Sequence, residues 1–244
     1  MDILILAGGR CDEVMREATG VENRSELRYG SKTSLEIVMD AVSSFGRCIV
    51  TAEKPVPGTE FAPAGTSFIG SVTSGLSKVT SESFLLCTSD IPCINKGVIG
   101  GFLDACYPDA ELNYPIINIA DCERMFPGMK RTTFKLKDGE FTGGNIALIN
   151  TAAFRRTVPL LERAYEHRKS PLKIGAIVGA GVLGSLVMAK VFPGSLTVEA
   201  LEKSVTKSLN LKVKGVKTSF AEIGADVDSL DQYQAMRKIV EERV

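Results

Sequence analysis

Apolar residues in this chain fall into two alternating patterns: short unbroken runs, and longer stretches where they recur every third or fourth position. The first is the mark of strands buried on both faces, as in a parallel sheet; the second marks helices with one face on a core. Strands are read at 3–6, 48–51, 84–88, 114–118, 146–149 and 211–218. Leu35, Val38, Met39 and Val42 stand at helical spacing behind Ser34, which predicts a helix capped by that serine. Further helices are expected at 12–20, 72–79, 95–106, 152–168 and 197–209, and at 230–242 behind Ser229. The proline- and glycine-rich segment 53–65 and the segment 125–131 read as loops. Lys137-Asp138-Gly139, between 132–136 and 140–142, reads as a hairpin turn. The alternation implies an α/β fold in one domain over 1–244. The expected form is a Rossmann-like three-layer α/β/α sandwich with a mostly parallel sheet. A small antiparallel insertion is placed near 110–145 and a helical region near 152–209.

Composition narrows the class. Hydrophobic residues make up 44% and charged residues 24%, ordinary for a soluble globular protein. Lys plus Arg equals Asp plus Glu at 29 each, so a nucleic-acid surface is not the main business and any phosphate chemistry must come from local clusters. Six cysteines without a C-x-x-C pair read as reduced thiols in a cytoplasmic protein. The first apolar run stops at Ala7, too short for a secretory signal. The segment 174–189 is uncharged, but its 16 residues include four glycines. A membrane span needs about 20 residues. It reads instead as a buried or self-associating region, with a homodimer contact through 174–191.

The candidate chemistry begins where the first strand ends, at Gly8-Gly9-Arg10. Two residues without Cβ atoms let amide N–H groups approach an anion, and the arginine adds charge. An ordinary tight turn is the alternative. The loop 23–32 gathers Arg24, Arg28 and Lys32. The strand at 84–88 ends at Ser89-Asp90-Ile91-Pro92, because proline cannot extend a ladder. Asp90 thus shares the carboxyl edge of the sheet with Gly8, the edge where open α/β sheets bind ligands; capping the next helix is its other reading. Gly143-Gly144-Asn145 suits close approach to a sugar or phosphate. Asp226 and Asp228 alternate in extended chain and share a face. With Asp90 they form hard oxygen ligands suited to Mg²⁺ or Mn²⁺ completed by substrate phosphates, or else they are solvated residues before the last helix.

These blocks, taken in order with the Gly20–Arg24 run and Asp138-Gly139, resemble the NTP-transferase superfamily. The group includes molybdenum-cofactor guanylyltransferases and the cytidylyl- and sugar-nucleotidyltransferases, with a nucleotide-diphospho-sugar transferase-like fold. The resemblance implies transfer of an NMP from an NTP to a phosphorylated small-molecule acceptor, with release of pyrophosphate. It implies that Leu6, Ala7, Gly8, Gly9 and Ser89 surround the nucleotide. Arg10, Arg24, Lys32 and Asp90 would be the catalytic set, and Gly143, Gly144 and Asn145 would meet the acceptor. Asp90, Asp226 and Asp228 would hold Mg²⁺ or Mn²⁺. Two departures stand out. Arg24 occupies the place where many relatives carry a triphosphate-binding lysine, and a planar guanidinium is not a point charge; Lys32 is the nearby substitute. Glu13-Val14-Met15-Arg16 replaces the usual Arg-Met-Gly signature.

Two other readings compete. One is a non-catalytic nucleotide-binding or regulatory relative of the same fold, supported by Arg24. The other is an NAD-dependent oxidoreductase using the G-x-G-x-x-G match at Gly179–Gly184, with Glu202 as the ribose acid. That fingerprint needs an opening βαβ unit, and the next strand arrives only at 211. His167, the sole histidine, lies between Glu166 and Arg168 and reads as solvated rather than catalytic.

Overall fold

The computed structural model describes residues 1–167 and 194–242. The chain opens with β1 (Asp2–Leu6), all five residues buried. Asp12 starts α1 (Glu13–Thr19) by accepting from the Met15 amide, and Gly20 ends it at φ 72°. A 3-10 turn (Arg24–Glu26) and a hairpin of β2 (Arg28–Tyr29) and β3 (Lys32–Thr33) lead into α2 (Ser34–Val42). Next come β4 (Arg47–Ala52), β5 (Glu60–Pro63), α3 (Phe68–Leu76), β6 (Ser83–Thr88) and α4 (Lys96–Ala105). They are followed by β7 (Leu112–Asn118), α5 (Ile119–Met125), β8 (Thr133–Leu136), β9 (Gly139–Gly143), β10 (Ile146–Asn150) and α6 (Thr151–Glu166). The last elements are α7 (Val198–Leu209), β11 (Val213–Thr218), a 3-10 turn (Ala221–Gly224) and α8 (Leu230–Glu241).

Nine strands form one sheet in the order β5-β4-β1-β6-β10-β7-β9-β8, with β11 on the other edge of β7. β9 and β10 run against the rest, so the sheet is mostly parallel. The antiparallel part is continuous with the parallel part: β10 lies between β6 and β7. Period-two alternation sorts the core into two faces. Ile3 and Ile5 join Val38, Leu85, Ile99, Phe102 and Met236 under α2, α4 and α8. Leu4 and Leu6 join Val72, Leu76, Phe84 and Phe154 under α3 and α6. The result is the expected three-layer α/β/α sandwich. Gly75 sets how near α3 can come, since a Cβ there would fall 2.2 Å from Leu4 Cδ1.

Several local expectations change. Thr33, not Ser34, caps α2 with a reciprocal bond to Glu36; the Ser34 hydroxyl instead donates to the Ser89 carbonyl at 2.7 Å. Helix α3 starts at Phe68, four residues earlier than the sequence pattern suggests, with Ser67 as its cap. The segment read as a loop at 53–65 contains β5, an edge strand that tolerates Pro63 because its outer side needs no ladder. α5 escaped the periodicity reading because a seven-residue helix completes too few turns to show one. Among the described residues no helix is long and apolar enough to cross a membrane. The homodimer segment 174–191 and the fingerprint Gly179–Gly184 lie outside the described residues. None of the six cysteines is joined in a disulfide.

The amino end of the sheet is pinned by one carboxylate. Asp2, 4% exposed, accepts from Arg47 Nε at 3.0 Å and from the Thr80 and Ser81 amides at 2.7 and 3.0 Å. Burial alone would raise this carboxyl, but the guanidinium and the two amides outweigh it and hold it well below the usual carboxylate range. Asp2→Asn is expected to cost about 2 kcal/mol at pH 7, through weakened charged hydrogen bonds. Because the folded-state pKa is depressed, this contribution is complete above the unfolded value of about 4 and fades as pH falls below it. Urea unfolding of wild type and variant should show a gap that narrows below about pH 4. A gap independent of pH would mean that the charge does not hold this corner.

Candidate active site

The site is assembled at the carboxyl ends of β1 and β6, which pair in parallel with Leu6 opposite Thr88. The Ser89 amide donates to the Leu6 carbonyl at 3.1 Å, continuing the pairing one step past the strands. Beyond Ala7 the chain leaves the ladder. Among the described residues the Gly8 and Gly9 amides donate to no protein acceptor. Neither glycine has a positive φ, so their role is space rather than strain. At Gly9 the space is taken by Arg24, whose Nη2 would lie 2.9 Å from a Cβ.

Arg24 is brought back over Gly9 by main-chain pairing. Its amide donates to the Gly9 carbonyl at 2.8 Å, and Cys11 donates to Glu22 at 2.9 Å. Its guanidinium then meets two acids from distant segments. Arg24 Nη1 is 3.2 Å from Asp90 Oδ2 and also pairs with Asp228 Oδ1. The carboxyl-terminal segment is tied down by the Val227 amide, which donates to the Asp90 carbonyl at 3.0 Å. Asp226 accepts from Asn145 Nδ2 at 3.2 Å, and the Asn145 main chain bridges Ile223 and Thr88. Burial pushes the Asp90 carboxyl up, Asp226 adds to this, and Arg24 works against both. Asp90 Oδ1 is buried, and the Thr88 hydroxyl is the neighbouring side chain that helps to lower the carboxyl.

Two cavities flank the Arg24–Asp228 pair. One, of about 570 Å³, is lined by Lys130, Arg131, Gly143, Asn145, Asp226 and Asp228, among others. The other, of about 680 Å³, is lined by Gly8, Gly9, Arg10, Arg24, Phe68 and Tyr165, among others. Arg24 belongs to one wall and Asp228 to the other, so their ion pair is part of the partition. Arg10 is exposed and pairs with Glu53 at 2.7 Å. Lys130 pairs with no carboxylate among the described residues. Arg131 donates to the Gly224 carbonyl and stacks over Phe126 at 5.7 Å.

The structure thus brings together Gly8, Gly9, Arg10, Arg24, Asp90, Asn145, Asp226 and Asp228. Leu6 reaches the larger cavity, while Ala7 lines a separate cleft beside it. Ser89 is buried and serves the strand ends. Lys32 is the exception: its ammonium bonds Asp40 at 2.6 Å, and it lines a different cavity with Tyr29 and Glu241. The hairpin of β2 and β3 carries it away, so it is not a substitute for the triphosphate lysine. Asp90 does not cap α4; Asn95 does, accepting from Val98. Gly143 and Gly144 line the smaller cavity and also make room for protein: Cβ atoms there would fall 2.3 Å from Tyr114 Oη and 2.5 Å from Ile223 Cγ2. Glu202 is held by Lys214 at 2.9 Å and by the Gly215 amide, so it is committed within its own layer. Phe68, Tyr165, Lys130 and Gln232 are lining residues that the sequence reading did not assign.

Among the described residues no three His, Cys, Asp or Glu side chains form a metal set on their own. Mg²⁺ commonly takes one or two carboxylates and fills its shell with water and phosphate. The buried carboxylate of Asp90 beside Asp228 fits that mode, and three acids against one guanidinium leave the spot short of positive charge.

No protein-family model matches this chain, and no curated protein matches it. Solved structures do. A hypothetical transferase from Thermus thermophilus is 28% identical, with TM-score 0.83 over 95% of this chain and 98% of that one. The 2-C-methyl-D-erythritol 4-phosphate cytidylyltransferase of Thermus thermophilus is 15% identical, with TM-score 0.57 over 100% of this chain and 98% of that one. A nucleotidyl transferase from Methanothermobacter is 13% identical, with TM-score 0.60 over 100% and 98%. The architecture described above is therefore the fold of nucleotidyltransferases.

The glycine geometry is open to a stability test. Gly144→Ala should cost about 1–3 kcal/mol, since Ile223 and Pro115 would have to give way in a packed region. Gly143→Ala should cost less, because Tyr114 is 38% exposed and its ring has room to move. Denaturant midpoints of the two variants would check the order; equal costs would mean that Tyr114 is as fixed as Ile223.

Proposed function

We propose that this chain is a nucleotidyltransferase that moves an NMP from an NTP to a phosphorylated small molecule and releases pyrophosphate. The observation that carries this reading is the Arg24 guanidinium between Asp90 and Asp228, with a cavity on either side. Such a reaction needs two ligands aligned across one charged centre, and asks mainly for positioning and charge neutralisation. The larger cavity suits the NTP. The free Gly8 and Gly9 amides and the cations Arg10 and Arg24 face phosphate there, and Phe68 and Tyr165 offer aromatic faces to a base. The smaller cavity suits the acceptor, with Lys130 and Arg131 toward its phosphate and Asn145 at its floor.

An acceptor phosphate oxygen attacks the α-phosphorus, a new P–O bond forms, and the bond to the β-phosphate oxygen breaks with pyrophosphate as leaving group. Asp90 and Asp228, with Asp226 beside them, would hold Mg²⁺ or Mn²⁺. When bound, that ion supplies positive charge at the phosphates. Arg24 and Arg10 hold the departing pyrophosphate charge. The named activities of the structural neighbours, a cytidylyltransferase and a nucleotidyl transferase, support the reading. The finer reading, a molybdenum-cofactor guanylyltransferase-like protein, rests on motif order alone. We place the protein in the cytoplasm, where NTPs and reduced thiols coexist.

A pyrophosphate-release screen of the four NTPs against phosphorylated sugars, polyols and pterins, with Mg²⁺, tests the proposal. At least one pair should turn over, and Asp90→Asn should lower that rate by about a hundredfold or more. NTP binding without pyrophosphate release across the whole panel would favour a non-catalytic relative instead.

A further inference from the structure

Arg24 does two things that conflict. It lines the larger cavity, where the proposed reading puts a triphosphate, and it pairs with the carboxylates proposed for the metal. We propose that Arg24 is a resident counter-cation: it fills the place of a divalent ion between Asp90 and Asp228 and keeps free metal out until a polyphosphate draws it away. The inference rests on the nucleotidyltransferase reading for the polyphosphate, but not for the block itself.

The geometry supports this in three ways. First, one nitrogen, Nη1, serves both acids, so a single side-chain movement frees both. Secondly, among the described residues no other hydrogen bond or ion pair holds the guanidinium. Arg24 Nε is buried without a hydrogen-bond partner, and its side chain is 21% exposed toward the cavity. A triphosphate offers charged oxygens on that side, and guanidinium binds such oxygens in paired hydrogen bonds. Thirdly, the acids need a cation whichever one it is. Asp90 is nearly buried, and its charge without a partner is costly. Exchange of one cation for another keeps the centre paired at each stage. Gly9 is part of the device, because a side chain there would occupy the space through which the guanidinium lies.

The block predicts that metal and nucleotide enter together. Electron paramagnetic resonance of Mn²⁺, which separates free from bound ion, is the direct measurement on the full chain. Wild type should bind Mn²⁺ alone at least about tenfold more weakly than Arg24→Ala, since removing one charge at this range changes ion affinity by that order. Wild type should, however, take up at least one of the four preformed Mn–NTP complexes. If Arg24→Ala fails to fold, Arg24→Gln, which keeps most of the side-chain length without the charge, should show the same gain. Equal Mn²⁺ affinity in wild type and the folded variant would overturn the block. A gain in the variant with no Mn–NTP uptake by wild type would uphold the block and overturn the nucleotide reading.

Discussion

The parallel register of β1 against β6 is the constraint on which the rest of the site depends. Because Leu6 stands opposite Thr88, the two strands run out of ladder at the same level. One continues as a turn of glycines with free amides, the other as a buried acid. Neither is a binding site alone. A shift of the register would separate the amides from the carboxylate along the strand direction and turn the alternating side chains to the wrong layer. The Asp2 corner holds that register from the opposite end of the strands, through Arg47 on β4 and the turn that enters β6.

Once the edge is set, charge decides what it can hold. Asp90, Asp226 and Asp228 reach it from two parts of the chain, and Arg24 from a third. The centre lacks positive charge, yet its cation belongs to the cavity next door. Under the proposed function, this arrangement suits a ligand that brings phosphate and a divalent ion together. An oxidoreductase pocket would have little use for it, and Glu202, the acid that such a pocket would need, is already bound within its own layer.

Much of this was legible in residue order. Strand ends are marked by glycine and proline, so Gly8 and Asp90 could be placed on one edge without coordinates. The late acids before a serine-capped helix read equally as partners of Asp90 or as solvated residues, and the fold brings them to the same edge. What could not be read is contact between side chains. Nothing in the sequence says that Arg24 folds back over Gly9, that Lys32 is carried off by a two-stranded hairpin, or that Gly144 is small for the sake of Ile223. Glycine in a loop next to a strand has two physical uses, room for a ligand and room for a neighbour, and sequence pattern does not separate them. The edge strand β5 was hidden because Pro63 looks like a breaker unless one knows that its outer side is free.

Asn145 has a wider consequence. Its carbonyl accepts from Thr88 and its amide donates to Ile223, so the central strand and the carboxyl-terminal segment are joined through peptide groups as well as through its side chain. Such links survive most replacements of the residues around them. Replacements in the wall beside Asn145 would therefore reshape the smaller cavity while the spacing of the acids stays unchanged. The capacity to diversify resides in the periphery because the main chain insulates the centre.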